Sequence, residues 1–235
     1  MKTRLHAFGI FLCLFALTAG QAGPGDSLKD LKTRMDQASI QFKSMTAHVT
    51  WKTHVDSIDD NSAETGNVIM MKAQSGEVRA LVEFIEPDRR FVHLEKTSLQ
   101  IYYPKIKTVQ VWDLGDQGEQ VEQFVMIGFG TSGTSLAKDY DMTVLGAEAV
   151  KGQQTIPAIR LQLIPKSGKA RELIKKLELW IPIQGDPYPV QEKISQSSGD
   201  YRLVIYSDLK INPPLKPDAV QLKVPPGVKT EVQGK

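Results

Sequence analysis

The sequence predicts a mainly β domain, an antiparallel sheet of about ten strands that is large enough to curl, with one long helix laid across it. Three observations predict it. A single stretch, Ser27 to Met45, spaces its apolar residues at alternating gaps of three and four. Nearly everything after it alternates apolar and polar residues with the period of a half-buried strand. The apparent strands are also separated by only a few residues containing Pro, Lys or Gly, enough to join antiparallel neighbours but too few for a crossover helix.

The helix comes first. Leu28, Leu31, Met35, Ala38, Phe42 and Met45 fall on one stripe, leaving Lys29, Lys32, Arg34, Asp36, Gln41 and Lys43 for water. Ser27 can cap the first turn, with Asp30 three residues later as a short version of the capping-box acid, and neither Gly nor Pro interrupts the later turns.

Strands then follow in series. Val49, Trp51, Thr53 and Val55 alternate with His48, Thr50, Lys52 and His54, and the polar stretch Asp56 to Glu64 turns the chain into Thr65 to Lys72. Val78 to Glu86, Phe91 to Leu94, Leu99 to Tyr103 and Thr108 to Trp112 continue the pattern. It breaks between Gly115 and Asp139, where Val121 to Ile127 and Thr134 to Tyr140 read as short helices around a glycine-rich bend. Strands resume at Asp141 to Ala147, Ile156 to Ile164, Lys176 to Ile183, Val190 to Ser195 and Tyr201 to Leu209. The proline-broken tail leaves room for a turn near Lys216 to Ala219 and a last strand at Val220 to Val224.

The N-terminus carries an export signal: Lys2 and Arg4, an apolar run from Ala7 to Leu17, and the small residues Ala19, Gly20 and Ala22 at a cleavage site. The run is too short to span a bilayer. The expected organisation is therefore a signal peptide at residues 1–22, cleaved near Ala22 on export, and one domain at residues 23–235. The single cysteine, Cys13, lies within the signal and follows Leu12 rather than the small residue a lipidation site needs, so neither lipidation, a disulfide nor a thiol nucleophile is expected. Loss of the signal leaves basic and acidic residues balanced, which argues against a nucleic-acid partner.

Catalytic and metal motifs fail on inspection. Gly128-Phe-Gly130-Thr-Ser-Gly133 has dinucleotide-binding spacing, but that loop needs parallel strands and a long helix around it. His48 and His54 lie about 20 Å apart on an extended chain, too far to share a metal. Ser132, Ser135, Asp139 and Asp141 have no histidine near in sequence and no nucleophile elbow. No catalytic residue, metal or cofactor is expected, and the protein reads as a non-enzyme.

What stands out is bulk on inward positions. Trp51, Met70, Val82, Phe84, Leu99, Ile101, Tyr103, Leu161, Leu163, Leu179 and Ile205, with Leu31, Met35 and Phe42 from the helix stripe, are the candidate lining of an apolar cavity. Filling a core would explain most of them. A curled sheet of this many strands is nonetheless wide enough to leave an interior that one helix cannot fill.

From Ser27 onward the sequence resembles the LolA-type outer-membrane lipoprotein carriers of Gram-negative bacteria. The resemblance rests on the helix ending in Phe42, Gly66-Asn67-Val68, Phe84-Ile-Glu-Pro87, Leu99-Gln-Ile-Tyr-Tyr-Pro104, Leu161-Gln-Leu-Ile-Pro-Lys166, Asn212, Asp218-Ala219 and Val224-Pro-Pro-Gly-Val228. It implies an incomplete antiparallel barrel of about ten or eleven strands, closed by the N-terminal helix and short helical lid segments. It also implies a monomeric periplasmic chaperone whose interior takes lipoprotein acyl chains. Its partners would be acylated lipoproteins, an inner-membrane lipoprotein-releasing ABC transporter and an outer-membrane receptor of the same fold. An alternative on the same scaffold is a lipid- or lipoprotein-sensing envelope regulator. Where the family carries an Arg-Pro pair whose Arg latches the lid, this chain reads Lys72-Ala-Gln-Ser-Gly76, leaving Lys72 and Arg79 as candidate substitutes.

Overall fold

A computed structural model describes residues 27–73, 76–152 and 154–233; the signal peptide read at residues 1–22 lies outside them. Helix α1 (Leu28–Gln41) begins as its sequence dictates, with the Ser27 hydroxyl accepting the Asp30 N–H at 3.1 Å. It stops one turn short of the predicted stripe. Phe42 is already extended, and Met45 belongs to β1 (Ser44–Val55). Asn212 explains the early stop: its side-chain oxygen accepts the N–H groups of Lys43 at 2.7 Å and Ser44 at 3.1 Å, while its amide donates to the Gln41 carbonyl at 2.9 Å. Held this way, Met45 starts the two-residue row Met45, Ala47, Val49 rather than prolonging a helix.

The next strands are β2 (Asp60–Lys72), β3 (Val78–Glu86), β4 (Arg90–Glu95), β5 (Ser98–Tyr103) and β6 (Thr108–Asp113). Two short helices come after them, α2 (Gly118–Val125) and α3 (Gly133–Asp139), then β7 (Tyr140–Lys151) and β8 (Thr155–Pro165). Helix α4 (Gly168–Leu173), absent from the sequence reading, leads to β9 (Lys176–Pro182), β10 (Gln191–Ser195), β11 (Tyr201–Ile211) and β12 (Lys229–Gln233). The result is one open, curved sheet of 12 strands in the order β12-β6-β5-β4-β3-β2-β1-β11-β10-β9-β8-β7. Pairing of β1 with β11 joins an N-terminal meander to a C-terminal one. The fold expected from the resemblance to LolA-type carriers is the fold found.

The last strand departs from expectation. Val220–Val224 is not a strand; the chain instead crosses to the opposite edge and adds β12 parallel to β6, with Lys229 opposite Thr108 and Gln233 opposite Trp112. The sheet is therefore antiparallel everywhere except at that edge.

Two apolar clusters occupy the helix-bearing hollow. In one, Leu31 and Met35 of α1 meet Leu136 of α3 and the inward rows Ile159, Leu161, Leu163 and Leu177, Leu179, Ile181. In the other, Phe42 meets Val49, Met70, Ala80, Leu94, Phe129 and Tyr188, with Trp51, Val82, Leu99, Val121 and Val125 against its margin. Polar contacts fix α1 over the first cluster. Arg34 donates to the Pro182 carbonyl at 2.8 Å, the Tyr188 hydroxyl donates to the Ala38 carbonyl at 3.0 Å, and Asp36 accepts both the N–H (2.8 Å) and the hydroxyl (2.7 Å) of Thr134. Burial pushes the Asp36 carboxyl up, but the two Thr134 hydrogen bonds and Lys32 outweigh it and hold it below the usual range.

The outer face of β8 and β9 carries a buried charge. Glu178 accepts from Arg160 at 2.6 Å and lies 3.1 Å from the Lys176 ammonium, and Arg160 sits 5.0 Å over the Trp180 ring. Burial alone would raise the Glu178 carboxyl; the bonds from Arg160 and Lys176 win and lower it.

Candidate functional site

The short segments between β6 and β7, and between β8 and β9, build a cleft of about 1420 Å³ at one end of the hollow. Its apolar lining comes from Val78 of β3, Val121 and Phe124 of α2, Met126 and Ile127 just after it, Leu136 of α3, and Leu173 and Ile174 at the end of α4. Leu173 is 70% exposed, an apolar side chain left at the mouth. A smaller cleft of about 370 Å³ adjoins past α4; it shares Phe124, Leu173 and Ile174 and continues to Ile194 and Arg202.

The local sequence explains why the chain leaves room here. Helices α2, α3 and α4 have 8, 7 and 6 residues, too short to be stable without tertiary contacts and too short to cover a sheet face. Ser132 caps α3 by accepting the Ser135 N–H at 3.0 Å, and Ser167 caps α4 through Ala170, so these serines are spent on helix starts. Three of the four residues that suggested a hydrolytic set, Ser132, Ser135 and Asp139, do line the cleft. None of the histidines His48, His54 and His93 is among its lining.

The glycine-rich bend plugs the hollow beside the cleft. Phe129 stacks on Tyr188 at 6.2 Å and 8° and meets Tyr206 edge-on at 5.1 Å. Gly128 takes φ +84, and a Cβ there would fall 2.6 Å from Pro189 Cγ and 3.2 Å from Glu192 Oε1. Beneath it, Glu192 occupies an inward position of β10 between Leu179 and Val204, at the seam of the two apolar clusters. Its Oε2 accepts from the Tyr206 hydroxyl at 3.3 Å, while Oε1 is sealed from water without a hydrogen-bond partner. Burial pushes this carboxyl up to about 8 against the small opposing pull of the Tyr206 bond, and burial with the neighbouring Glu192 drives the Tyr206 phenol upward too.

The fourteen residues read as cavity lining distribute differently. Leu31, Met35, Leu161, Leu163 and Leu179 are buried in the cluster under α1, and Phe42 and Met70 in the cluster around Phe129. Trp51, Val82 and Leu99 pack at the margin of the latter. Phe84 is buried against Trp51, 5.9 Å edge-on, and beneath the Arg90 guanidinium at 3.9 Å, itself paired with Glu64. Ile101 and Tyr103 continue the Leu99 row and stay half-buried. Ile205 alternates with Val204 and Tyr206 and pairs with Thr50, which places it on the outer face. None of the fourteen lines the cleft. Its lining comes from segments without sustained periodicity; the signal present was the amphipathic spacing of Val121, Phe124 and Val125.

The two candidate latch residues also separate. Arg79 points outward and pairs with Glu95 at 2.9 Å, whereas Lys72 ends the inward row Val68, Met70, Lys72 and lines the cleft.

No family model matches the chain, and no curated protein does. Solved structures do. An uncharacterized conserved protein from Thermus thermophilus is 13% identical over 87% of this chain and 98% of its own, with a TM-score of 0.52. The MucA/MucB complex of Pseudomonas aeruginosa is 18% identical over 83% of this chain, with a TM-score of 0.49; this chain spans 61% of the chain it matches there. A LolA superfamily protein from Nitrosomonas europaea is 13% identical over 84% of this chain and 98% of its own, at 0.39. At these identities the likeness is one of fold. Among the described residues no helix is long and apolar enough to cross a membrane.

Proposed function

We propose that the protein is a periplasmic carrier that shelters the acyl chains of lipoproteins from water, receiving them at an inner-membrane ABC transporter and delivering them towards the outer membrane. The observation that carries this reading is the cleft of about 1420 Å³, with an apolar floor and walls made of three short helices, at the end of a curved sheet. Each methylene removed from water is worth about 0.8 kcal/mol, so a shuttle for acyl chains needs dry volume more than it needs reactive groups. That volume exceeds the roughly 300–1,000 Å³ usual for small-ligand pockets. In this reading the acyl chains lie against Val121, Phe124, Met126, Ile127, Leu136 and Ile174, and the inward residues among the fourteen, all but Ile205, form the wall behind them. Displacement of α2 would extend the site onto the half-exposed row Leu99, Ile101 and Tyr103.

The test is release of acylated lipoproteins from spheroplasts into the soluble fraction by the purified mature protein. Release is expected, and Ser135→Trp, which fills the cleft from a half-buried position of α3, should abolish it while the protein stays folded by circular dichroism. A folded preparation that releases none of several lipoproteins overturns the proposal.

A further inference from the structure

The mouth of the cleft has a sign. Four lysines line it: Lys72 from the end of β2, Lys138 from α3, Lys166 from the turn after β8, and Lys169 from α4. Among the described residues only two acids share the lining, Glu77 and Asp139, and Glu77 lies 3.8 Å from Lys96 outside the cleft. Lys166 is partly engaged, donating to the Ala137 carbonyl at 2.7 Å and lying 4.0 Å from Asp141. No ion pair ties Lys72, Lys138 or Lys169 to any described residue. Some of the protein's other cations are paired: Arg79 with Glu95, Arg89 with Glu83, Arg160 with Glu178 and Glu148, Lys223 with Asp218, Lys229 with Glu231. Three cations without an ion pair among the described residues thus stand around one apolar opening.

Lys72 is the most telling of them. It is half-buried, and it is the last member of an inward row whose earlier members, Val68 and Met70, belong to the core. A lysine in that place rests its stem on apolar surface and presents its ammonium to the opening. Its counterparts Lys138 and Lys169 are exposed on α3 and α4, which also carry cleft-lining residues.

We propose that the cleft selects amphiphiles with an anionic head, a glycerophospholipid bearing net negative charge being the occupant, with its phosphate among Lys72, Lys138 and Lys169 and its acyl chains on the floor formed by Phe124, Ile127 and Leu136. This rests on the reading that the cleft takes acyl chains and adds which head group accompanies them. Apolar lining alone would not distinguish head groups; the uncompensated lysines do.

The experiment offers the mature protein two donor vesicles, one of phosphatidylglycerol and one of phosphatidylcholine, each with the same fluorescent acyl chain, and measures lipid recovered with soluble protein once vesicles are removed. Three partly hydrated cations support a preference of about tenfold for phosphatidylglycerol. Raising the salt from roughly 0.05 M to 0.5 M should narrow that preference in the unmodified protein, because exposed charges are screened. In the variant Lys72→Gln/Lys138→Gln/Lys169→Gln, uptake should continue with the preference lost and the unfolding temperature unchanged. Equal uptake of both lipids by the unmodified protein overturns this inference and leaves the acyl-chain reading standing; uptake of neither overturns both. Retention on anionic vesicles without transfer of lipid to the soluble protein overturns the inference in favour of surface docking. Displacement of the probe by millimolar inorganic phosphate, with no lipid preference, overturns it in favour of a site for free phosphate.

Discussion

Under α1, β8 and β9 present Ile159, Leu161, Leu163, Leu179 and Ile181 at exposures of 0–1%, whereas β1, β3 and β5 present Trp51, Val82, Leu99, Ile101 and Tyr103 partly open to solvent. The same sheet and the same kind of side chain thus meet two different covers. One is a helix of 14 residues held by Arg34, Asp36 and Ala38 to three separate parts of the chain. The other is α2, of 8 residues, which meets the clusters through Val121, Phe124 and Val125. The difference teaches that hydrophobicity on an inward face does not by itself mark a site. The deciding factor is the length and anchoring of whatever lies over it.

Breaking the sealed half should have the largest effect. Leu163→Asp puts a carboxylate among residues with no exposure and is expected to abolish folding, while even Leu163→Ala should cost about 2–5 kcal/mol in chemical denaturation. Ile101→Asp, on the half-exposed row, should leave a folded protein by circular dichroism and impair acyl-chain binding instead. Should both aspartate variants unfold alike, the two halves are equivalent and the contrast fails.

The outer face behind the sealed half comes next. Arg160→Ala leaves the fully buried Glu178 with Lys176 alone, and a loss of roughly 2–4 kcal/mol is expected; Arg160 is itself partly exposed, which places it below the full cost of a broken buried pair. Urea unfolding of Arg160→Ala combined with Glu178→Gln in the same chain should recover part of the loss.

Glu192 tests the seam between the halves. Its carboxyl titrates near 8 in the folded protein against 4.5 ordinarily, so folding keeps a proton that the unfolded chain has released. Stability from this group is therefore intact below 4.5 and declines as pH rises to about 8. The decline is expected to be of the order of 4–5 kcal/mol, and Glu192→Gln should flatten it. A wild-type profile without that slope would mean that Gly128 and Phe129 do not seal the carboxyl.

The smallest effect is expected at the junction of α1 and α3. Asp36→Ala removes two hydrogen bonds from Thr134 and should cost about 1–2 kcal/mol, speeding amide exchange in α3 before it does so in α1.

The strands were legible because a two-residue period survives in them; β3 was bounded to the residue, and most others within a few positions. Helix α1 was read too long because the three-and-four spacing happens to run on through Phe42 and Met45, and nothing local reveals that Asn212, 171 residues after Gln41, holds that corner extended. The tail strand was misplaced because Val220 to Val224 has the apolar content of a strand, whereas β12 is set by the free edge of β6. The candidate site was the least legible part. Inward bulk identifies the wall of the hollow, but the cleft is the space left by helices of 6–8 residues whose placement depends on tertiary contacts. Lys72 showed only as a departure from a motif; that it faces inward and Arg79 outward follows from the register of β2 on β3.

An open sheet has two borders, and each can recruit a stranger's backbone. At one border β12 covers β6 and becomes the edge itself, a strand of only five residues that carries Lys229 and Glu231. At the other, β7 is kinked by a register shift between Val144 and Gly146. If the molecule opens its covers as the proposed carrier would, it risks linking edge to edge with its neighbours, and the short, charged strand that the tail lays against β6 guards against that polymerisation.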